Sequence, residues 1–313
     1  MKTRSRISTM LLAAAALTLL FAVPALAKTK KVTYWEPLKE TSYSYEDGKW
    51  VRDYSWSRTY KKNRMTTSTY VSYCRWDETA QKMVDQKETS KETYKYDKKG
   101  RVKSFTTYEN GKKTTKAVYT YDKKGRESGH KLYNKKGKLI STTTVKYNSK
   151  GLTKSVTVKY KDKKKKTEKD TYTYKYYSGK KVKKETIKFA DGSKLTMEYD
   201  KKGNQTKWSR TDKDYSSTEY YNSKGQLTKE ESKSGSYSSV TVYIYDKKGN
   251  KTKSVETWTD VYDGEKQTGT TTRTYEIERD KNGNVTSEIE YYENEPSRKT
   301  VYSKYKKFTY TVK

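Results

Sequence analysis

The sequence predicts an all-β fold, an extended antiparallel β-meander repeat array that curls into an open sheet or a partial shell. Turn signals that end in glycine recur roughly every 10 to 15 residues through most of the chain. Aromatic and β-branched residues alternate with polar ones between these turns, and many of the 33 tyrosines recur at matching positions. A period of two with such residues is typical of half-buried antiparallel strands.

The chain begins with a segment typical of an export signal. Basic residues precede an apolar run at residues 10–23, and Ala25 and Ala27 form a small-residue cleavage site. An uncleaved membrane anchor is the alternative, because the apolar stretch approaches the length of a transmembrane helix. We expect residues 1–27 to be removed, leaving no transmembrane segment, and the protein to be secreted and extracellular, with cell-wall association as one outcome.

The charge of the chain is strongly positive, at +33. Lys2, Arg4 and Arg6 lie in the predicted signal, so the mature chain carries +30. Lysine supplies most of this charge, and its ammonium group is a hydrated point charge, whereas arginine is the usual residue for bidentate phosphate recognition. The composition therefore predicts attraction to polyanions in general, without specific recognition of nucleic acid.

Residues 28–90 differ from the rest of the chain. They contain Trp35, Trp50, Trp56 and Trp76 and one clear turn, at Asp47 and Gly48. Repeat arrays need atypical ends that cover their open edges, so we interpret this part as a Trp/Tyr-rich N-terminal β cap. A platform for an aromatic ligand is the alternative.

Residues 91–313 form the repeat region, in which Tyr-Asp/Asn-Lys/Ser-Lys-Gly recurs. The aspartate or asparagine caps the loop and the glycine takes the left-handed position, which predicts a type I turn that closes into a G1 bulge. The expected turn glycines are Gly100, Gly125, Gly137, Gly151, Gly203, Gly225, Gly249 and Gly283. Shorter signals at residues 47–48, 110–111, 191–192 and 263–264 suit two-residue type I′ turns.

Tyrosine is expected to supply most of the buried surface of the strands. Valine, isoleucine, leucine and phenylalanine are too few for a thick sandwich core, so tyrosine rings should be buried while their hydroxyl groups stay in water. A single hairpin of this kind is marginal in water, so stability must accumulate over many neighbouring strands.

The repeat region resembles a known family. Residues 96–101 and 121–126 (YDKKGR), with 199–204 and 245–250 (YDKKGN), look like the YD repeats of RHS-type proteins, and the likeness covers roughly residues 94–313. The resemblance implies β-strand shells that wrap a cargo or form a surface scaffold. The chain is also similar to short variant-repeat proteins of the MORN-like type, which implies a β-meander without chemistry.

The chain departs from the YD pattern in two ways. The apolar residue that usually follows Gly-Arg is kept at Val102 but becomes Gln205 and Lys251. We also expect no C-terminal toxin domain. Both departures imply an open scaffold in place of a sealed, cargo-enclosing shell.

Residues that could carry chemistry are few, and we predict that the protein is not an enzyme and has no catalytic residue, cofactor or metal ion. His130 is the sole histidine and is interpreted as an exposed strand residue. Cys74 could be a reactive thiol beside Arg75, but a half-buried strand residue is favoured, since free cysteine is usually buried. No intramolecular disulfide can form with one cysteine.

The remaining feature is a basic surface. Lysine interleaved with tyrosine suits a polyanion-binding surface, but it also suits a β-sheet that must avoid edge-to-edge aggregation. The candidate polyanion-binding residues are Lys98, Lys99, Lys123, Lys124, Lys163, Lys164, Lys165, Lys166, Lys201, Lys202, Lys247 and Lys248. We expect a non-catalytic protein that associates with the bacterial cell envelope through an anionic cell-wall polymer or glycan. A structural or adhesive scaffold that binds a protein partner through the N-terminal aromatic region is the alternative.

Overall fold

The computed structural model describes residues 30–77, 82–179 and 181–312, and side chains within 34–73, 86–179 and 181–309. The predicted export signal lies outside these residues. The chain divides into a large unit, Tyr34–Phe308, and a small unit that contains the two chain ends. Within the described ranges, every regular element is a strand, so no helix of bilayer-spanning length and hydropathy occurs there.

The strands follow one another along the chain with short turns between them. The first eleven are β1 Lys30–Glu36, β2 Lys39–Glu46, β3 Lys49–Lys61, β4 Arg64–Asp77, β5 Lys82–Tyr96, β6 Val102–Glu109, β7 Lys112–Tyr121, β8 Glu127–Asn134, β9 Leu139–Tyr147, β10 Thr153–Tyr160 and β11 Glu168–Tyr176. The others are β12 Val182–Lys188, β13 Lys194–Tyr199, β14 Gln205–Thr211, β15 Tyr215–Tyr221, β16 Leu227–Ser234, β17 Tyr237–Tyr245, β18 Lys251–Tyr262, β19 Glu265–Arg279, β20 Val285–Tyr292, β21 Glu295–Ser303 and β22 Lys306–Val312.

Strands β2 to β21 form a closed antiparallel barrel of 20 strands, and β1 pairs with β22 in a separate two-stranded sheet. Each barrel strand pairs with its neighbours in sequence, and β2 pairs with β21 from Lys39↔Ser303 to Ser44↔Arg298. The predicted open sheet or partial shell is therefore wrong. Closure satisfies the backbone groups that both terminal strands would otherwise expose at a free edge.

The barrel wall is a single layer without a conventional core. A strand spacing of about 4.8 Å gives a circumference of about 96 Å, which corresponds to a diameter of at least roughly 30 Å for a circular wall. Among the described residues, the buried hydrophobic side chains are Ala117, Ile187 and Phe308. A circular wall of this circumference would enclose a lumen, since barrels of 16 to 18 strands already enclose an aqueous channel.

The two faces of the wall can be assigned from strand β17. Val240, Val242 and Ile244 are 38, 45 and 45% exposed, whereas the alternate residues Ser239 and Tyr243 are buried and half-buried. Side chains converge on the concave side of a curved sheet, so the less exposed face lines the lumen. Following the strand register from β17 assigns every paired residue to the inner or the outer face.

The turns lie at two rims of the barrel. Turns after odd-numbered strands form the first rim, and turns after even-numbered strands form the second rim. Of the expected turn glycines, Gly137 lies at the second rim and the others at the first, with φ between 79° and 95° throughout. At residues 97–100 the Gly100 N–H donates to the Asp97 carbonyl at 2.9 Å, as in a type I turn.

One predicted turn type is wrong. At residues 47–48, 110–111 and 263–264 both central residues have positive φ, which agrees with type I′ turns. At Asp191 and Gly192 only the glycine does, and its N–H donates to the Phe189 carbonyl at 3.1 Å. This bond shows that the turn begins at Phe189, two residues before Asp191, and contains three loop residues instead of two.

The N-terminal part of the chain belongs largely to the same wall. Residues 39–90 supply β2, β3, β4 and most of β5, and a boundary at residue 90 falls inside β5. Because β2 pairs with both β3 and β21, this part closes the barrel.

Candidate polyanion-binding surface

Lysine side chains dominate the outer face of the wall. Adjacent strands bring them into register with threonine and serine, as in Lys159↔Thr142 and Lys131↔Thr142. The outer-face lysines are Lys39, Lys91, Lys95, Lys113, Lys116, Lys131, Lys146, Lys159, Lys169, Lys175, Lys184, Lys188, Lys194, Lys207, Lys229, Lys233, Lys253, Lys266 and Lys299.

Carboxylates of the strands are concentrated on the opposite face. On the inner face lie Glu40, Glu88, Glu92, Glu127, Glu168, Asp170, Glu185, Glu219, Glu230, Glu256, Glu288 and Glu290. The outer face carries far fewer, namely Glu198, Glu231, Glu276 and Glu278. The barrel therefore has a basic exterior and an acidic, tyrosine-rich interior.

Inner carboxylates are held by tyrosine hydroxyl groups and arginine. Tyr174 donates to Glu185 at 3.1 Å, and Tyr94 donates to Glu92. Burial raises the pKa of both carboxyl groups, and the tyrosine hydrogen bonds offset this only in part. These inner carboxyl groups are engaged within the wall, and on the outer face Lys184 and Lys229 pair with Glu198 and Glu231.

A recess of about 480 Å³ lies on the inner face of β16 to β21. Arg273 contacts Glu256 at 3.3 Å and Glu290 at 3.7 Å. The hydroxyl groups of Ser254 and Tyr275 are 2.9 Å apart. This arrangement is an internally paired network, which explains how arginine and glutamate coexist on a half-buried face.

A tyrosine ladder holds the turns of the first rim in place. The Tyr121 hydroxyl donates to the Val102 carbonyl at 2.6 Å, and the Tyr147 hydroxyl donates to the Glu127 carbonyl at 2.7 Å. Arg101 lies 4.2 Å from the centre of the Tyr121 ring. The tyrosine of each repeat thus holds the first residue of the strand that begins just after the turn of the previous repeat. The expectation that the hydroxyl groups stay in water is wrong for these tyrosines.

The turn aspartates of the first rim are bonded within their own turns. Asp97 accepts hydrogen bonds from the Arg101 N–H at 2.9 Å and from Arg101 Nε at 2.7 Å. These bonds, the backbone one first, lower the pKa of Asp97. Asp97 is engaged with Arg101, and Lys98 and Lys99 of the same turn are exposed.

The structure separates the predicted lysine site into two groups. The first rim carries Lys98, Lys99, Lys123, Lys124, Lys201, Lys202, Lys247 and Lys248, whereas Lys163, Lys164, Lys165 and Lys166 lie at the second rim between β10 and β11. The prediction did not include the outer-face strand lysines. The sequence did indicate these strand lysines, because lysine and threonine occupy the same alternate, polar positions along each strand.

His130 and Cys74 were singled out from the sequence. His130 lies on the inner face and is half-buried, so the expectation of an exposed residue is wrong. Its Nδ1 is 3.1 Å from a Glu127 oxygen, and its ring lies 5.2 Å from that of Tyr119. Cys74 belongs to β4, but its side chain lies outside the described side chains. In the described part of the chain, no group of three or more His, Cys, Asp or Glu residues could hold a metal ion.

No protein-family model and no curated protein matches the chain. Solved structures show weak similarity. A porin-like protein from Bacteroides uniformis is 14% identical over 85% of this chain and 96% of its own, with a TM-score of 0.39. The TcdB2-TccC3 structure without its hypervariable C-terminal region is 11% identical, over 83% of this chain and 15% of its own, at 0.40. A porin-like protein from Bacteroides vulgatus is 10% identical, over 85% of this chain and 97% of its own, at 0.25. Such low values carry no functional information.

Proposed function

We propose that this chain is an exported, non-catalytic β-barrel that associates with the bacterial cell envelope by binding anionic polymers on its outer face. The supporting observation is the separation of charge across the wall, with lysine outside and most strand carboxylates inside. A lysine-covered convex surface attracts an extended polyanion over many contacts, and counterion release contributes to the affinity. The lysine side chains are hydrated point charges, so the interaction does not require a single headgroup geometry.

The test is a binding isotherm on purified cell walls over a salt series. Affinity should fall steeply between low and high salt, because exposed charges are screened beyond about 10 Å at 0.1 M ionic strength. Cell walls stripped of their anionic polymers serve as the matched control and should lose most of the binding. Salt-insensitive binding, or equal binding to stripped walls, would contradict the proposal.

A scaffold that captures a protein partner through its N-terminal aromatic residues is less well supported. Trp56 lies 3.6 Å below the Arg58 guanidinium on the inner face, and Trp50 packs against Tyr45 at 5.0 Å. Trp35 is 39% exposed and is the better contact residue. Because a deletion of residues 28–90 would remove wall strands, Trp35→Ala is the variant that tests this alternative.

A further inference from the structure

Two rows of lysine cross strands β11 to β16 on the outer face. In one row the strand register aligns Lys175, Lys184, Lys207 and Lys229, with Glu198 and Tyr220 between them. In the other it aligns Lys188, Lys194 and Lys233, with Thr211 and Ser216 between them. On β12 the rows are four residues apart, which is about 13 Å along a strand.

Hydroxyl side chains form the floor between the two rows. The register aligns Thr173, Thr186, Thr196, Ser209 and Thr218 across β11 to β15. On β16 the same position is Glu231, which pairs with Lys229 at 2.6 Å. Thr196 is only 7% exposed. Short donors on the floor and long cations on both sides are the groups that a chain of phosphodiesters would contact. We call this band of residues the lysine track.

The lysine track contains like charges placed directly opposite each other. Lys188 pairs with Lys194, and Lys175 pairs with Lys184. Opposed like charges destabilise a sheet. Lys184 is compensated by Glu198, 2.9 Å away. The cross-strand neighbours of Lys188 and Lys194 are each other, Thr171 and Thr211. A bound anion between Lys188 and Lys194 would relieve their repulsion.

The curvature of the wall selects a flexible ligand. Strands β11 to β16 span five of the twenty strand intervals, so a circular wall turns by about 90° over the lysine track. A stiff polysaccharide or duplex could touch only a few of these strands at once. We infer that the lysine track binds a flexible linear phosphodiester polymer that runs across the strands, and this inference rests on the proposed function.

The test compares two variants with the same change in charge. K175Q/K188Q/K194Q/K233Q removes exposed lysines of the lysine track, and K98Q/K123Q/K201Q/K247Q removes exposed lysines of the first rim. The probe is purified poly(glycerol phosphate), titrated at several salt concentrations. We expect at least tenfold weaker binding for the track variant and less than threefold for the rim variant. The slope of log K against log salt should fall by about 2 to 3 only for the track variant, at about 0.7 per lost contact.

Circular dichroism and thermal unfolding check that both variants fold. The melting temperature of the track variant should equal or exceed that of the wild type, because an opposed lysine pair is removed. Equal loss of binding in both variants would overturn the lysine track while leaving the proposed function intact. Absence of wild-type binding to poly(glycerol phosphate), with salt-dependent binding to cell walls retained, would also overturn only the inference. Absence of binding to both would contradict the proposed function. Equal or tighter binding of stiff polygalacturonate would overturn the flexible phosphodiester as the ligand.

Discussion

The Tyr121→Phe substitution isolates one rung of the tyrosine ladder. It removes the hydroxyl group that donates to the Val102 carbonyl at 2.6 Å. The phenylalanine ring keeps the stacking contact with Arg101, whose guanidinium lies 4.2 Å from the ring centre. A hydrogen bond of this kind contributes about 1 kcal/mol net, and this carbonyl lies at the first residue of β6.

The expected effect is a lower melting temperature. For a chain of this length, about 1 kcal/mol corresponds to roughly 2 °C. Thermal unfolding followed by circular dichroism measures it, with Tyr262→Phe as the control, since Tyr262 is 76% exposed. If the two variants melt at the same temperature, the ladder does not stabilise the turns and the reasoning from the hydroxyl contact is refuted.

Three further predictions concern glycine geometry and buried ionisable groups. Gly129→Ala should prevent folding or strongly destabilise the protein, because φ is 152° and a Cβ would lie 2.0 Å from the Thr143 oxygen. Gly137→Ala is the control: a Cβ there meets open space, so the substitution should lower the free energy of unfolding by only about 1 kcal/mol. Urea unfolding measures both effects. Burial raises the pKa of the Glu185 carboxyl group above 4.5. Its contribution to the free energy of unfolding is therefore fully present below pH 4.5 and is lost as the pH rises and the group ionises. Glu185→Gln should raise the melting temperature at about pH 7 and not at about pH 4. Burial raises the pKa of Tyr199 to about 12 from 10.0, so its contribution is full below pH 10.0 and is lost as pH rises through about 12; an ultraviolet titration that finds every tyrosine ionising near 10.0 in the folded protein would contradict this.

The local structure of the barrel follows from the sequence, whereas its closure does not. The alternation around Tyr243 and the glycine of residues 96–100 predict strands and turns because each depends on neighbours a few residues away. Pairing between β2 and β21 joins residues such as Ser42 and Thr300, and no local pattern marks that contact. A meander with the same repeats could also form an open sheet, and the sequence alone favoured that open sheet over a closed barrel.

The candidate surface was predicted in part. Turn lysines such as Lys98 were recognisable from their repeat, but the lysine track depends on register between strands. Lys188 and Lys194 are separated by a turn and meet only because β12 and β13 pair in one register. The inner position of His130 could be seen only after its strand had been placed on a curved wall.

The barrel is built from hairpins, and each hairpin is anchored to the one before it. The number of hairpins can therefore change, and the barrel circumference changes with it. Insertion of one more two-strand unit would lengthen the circumference by about 9.6 Å, twice the spacing between strands. The strands that meet at the seam would be unchanged, as would the tyrosine and arginine contacts within every other unit. Duplication or loss of a single unit would therefore resize the lumen and the curvature of the exterior together, so relatives with different numbers of hairpins would favour ligands of different stiffness.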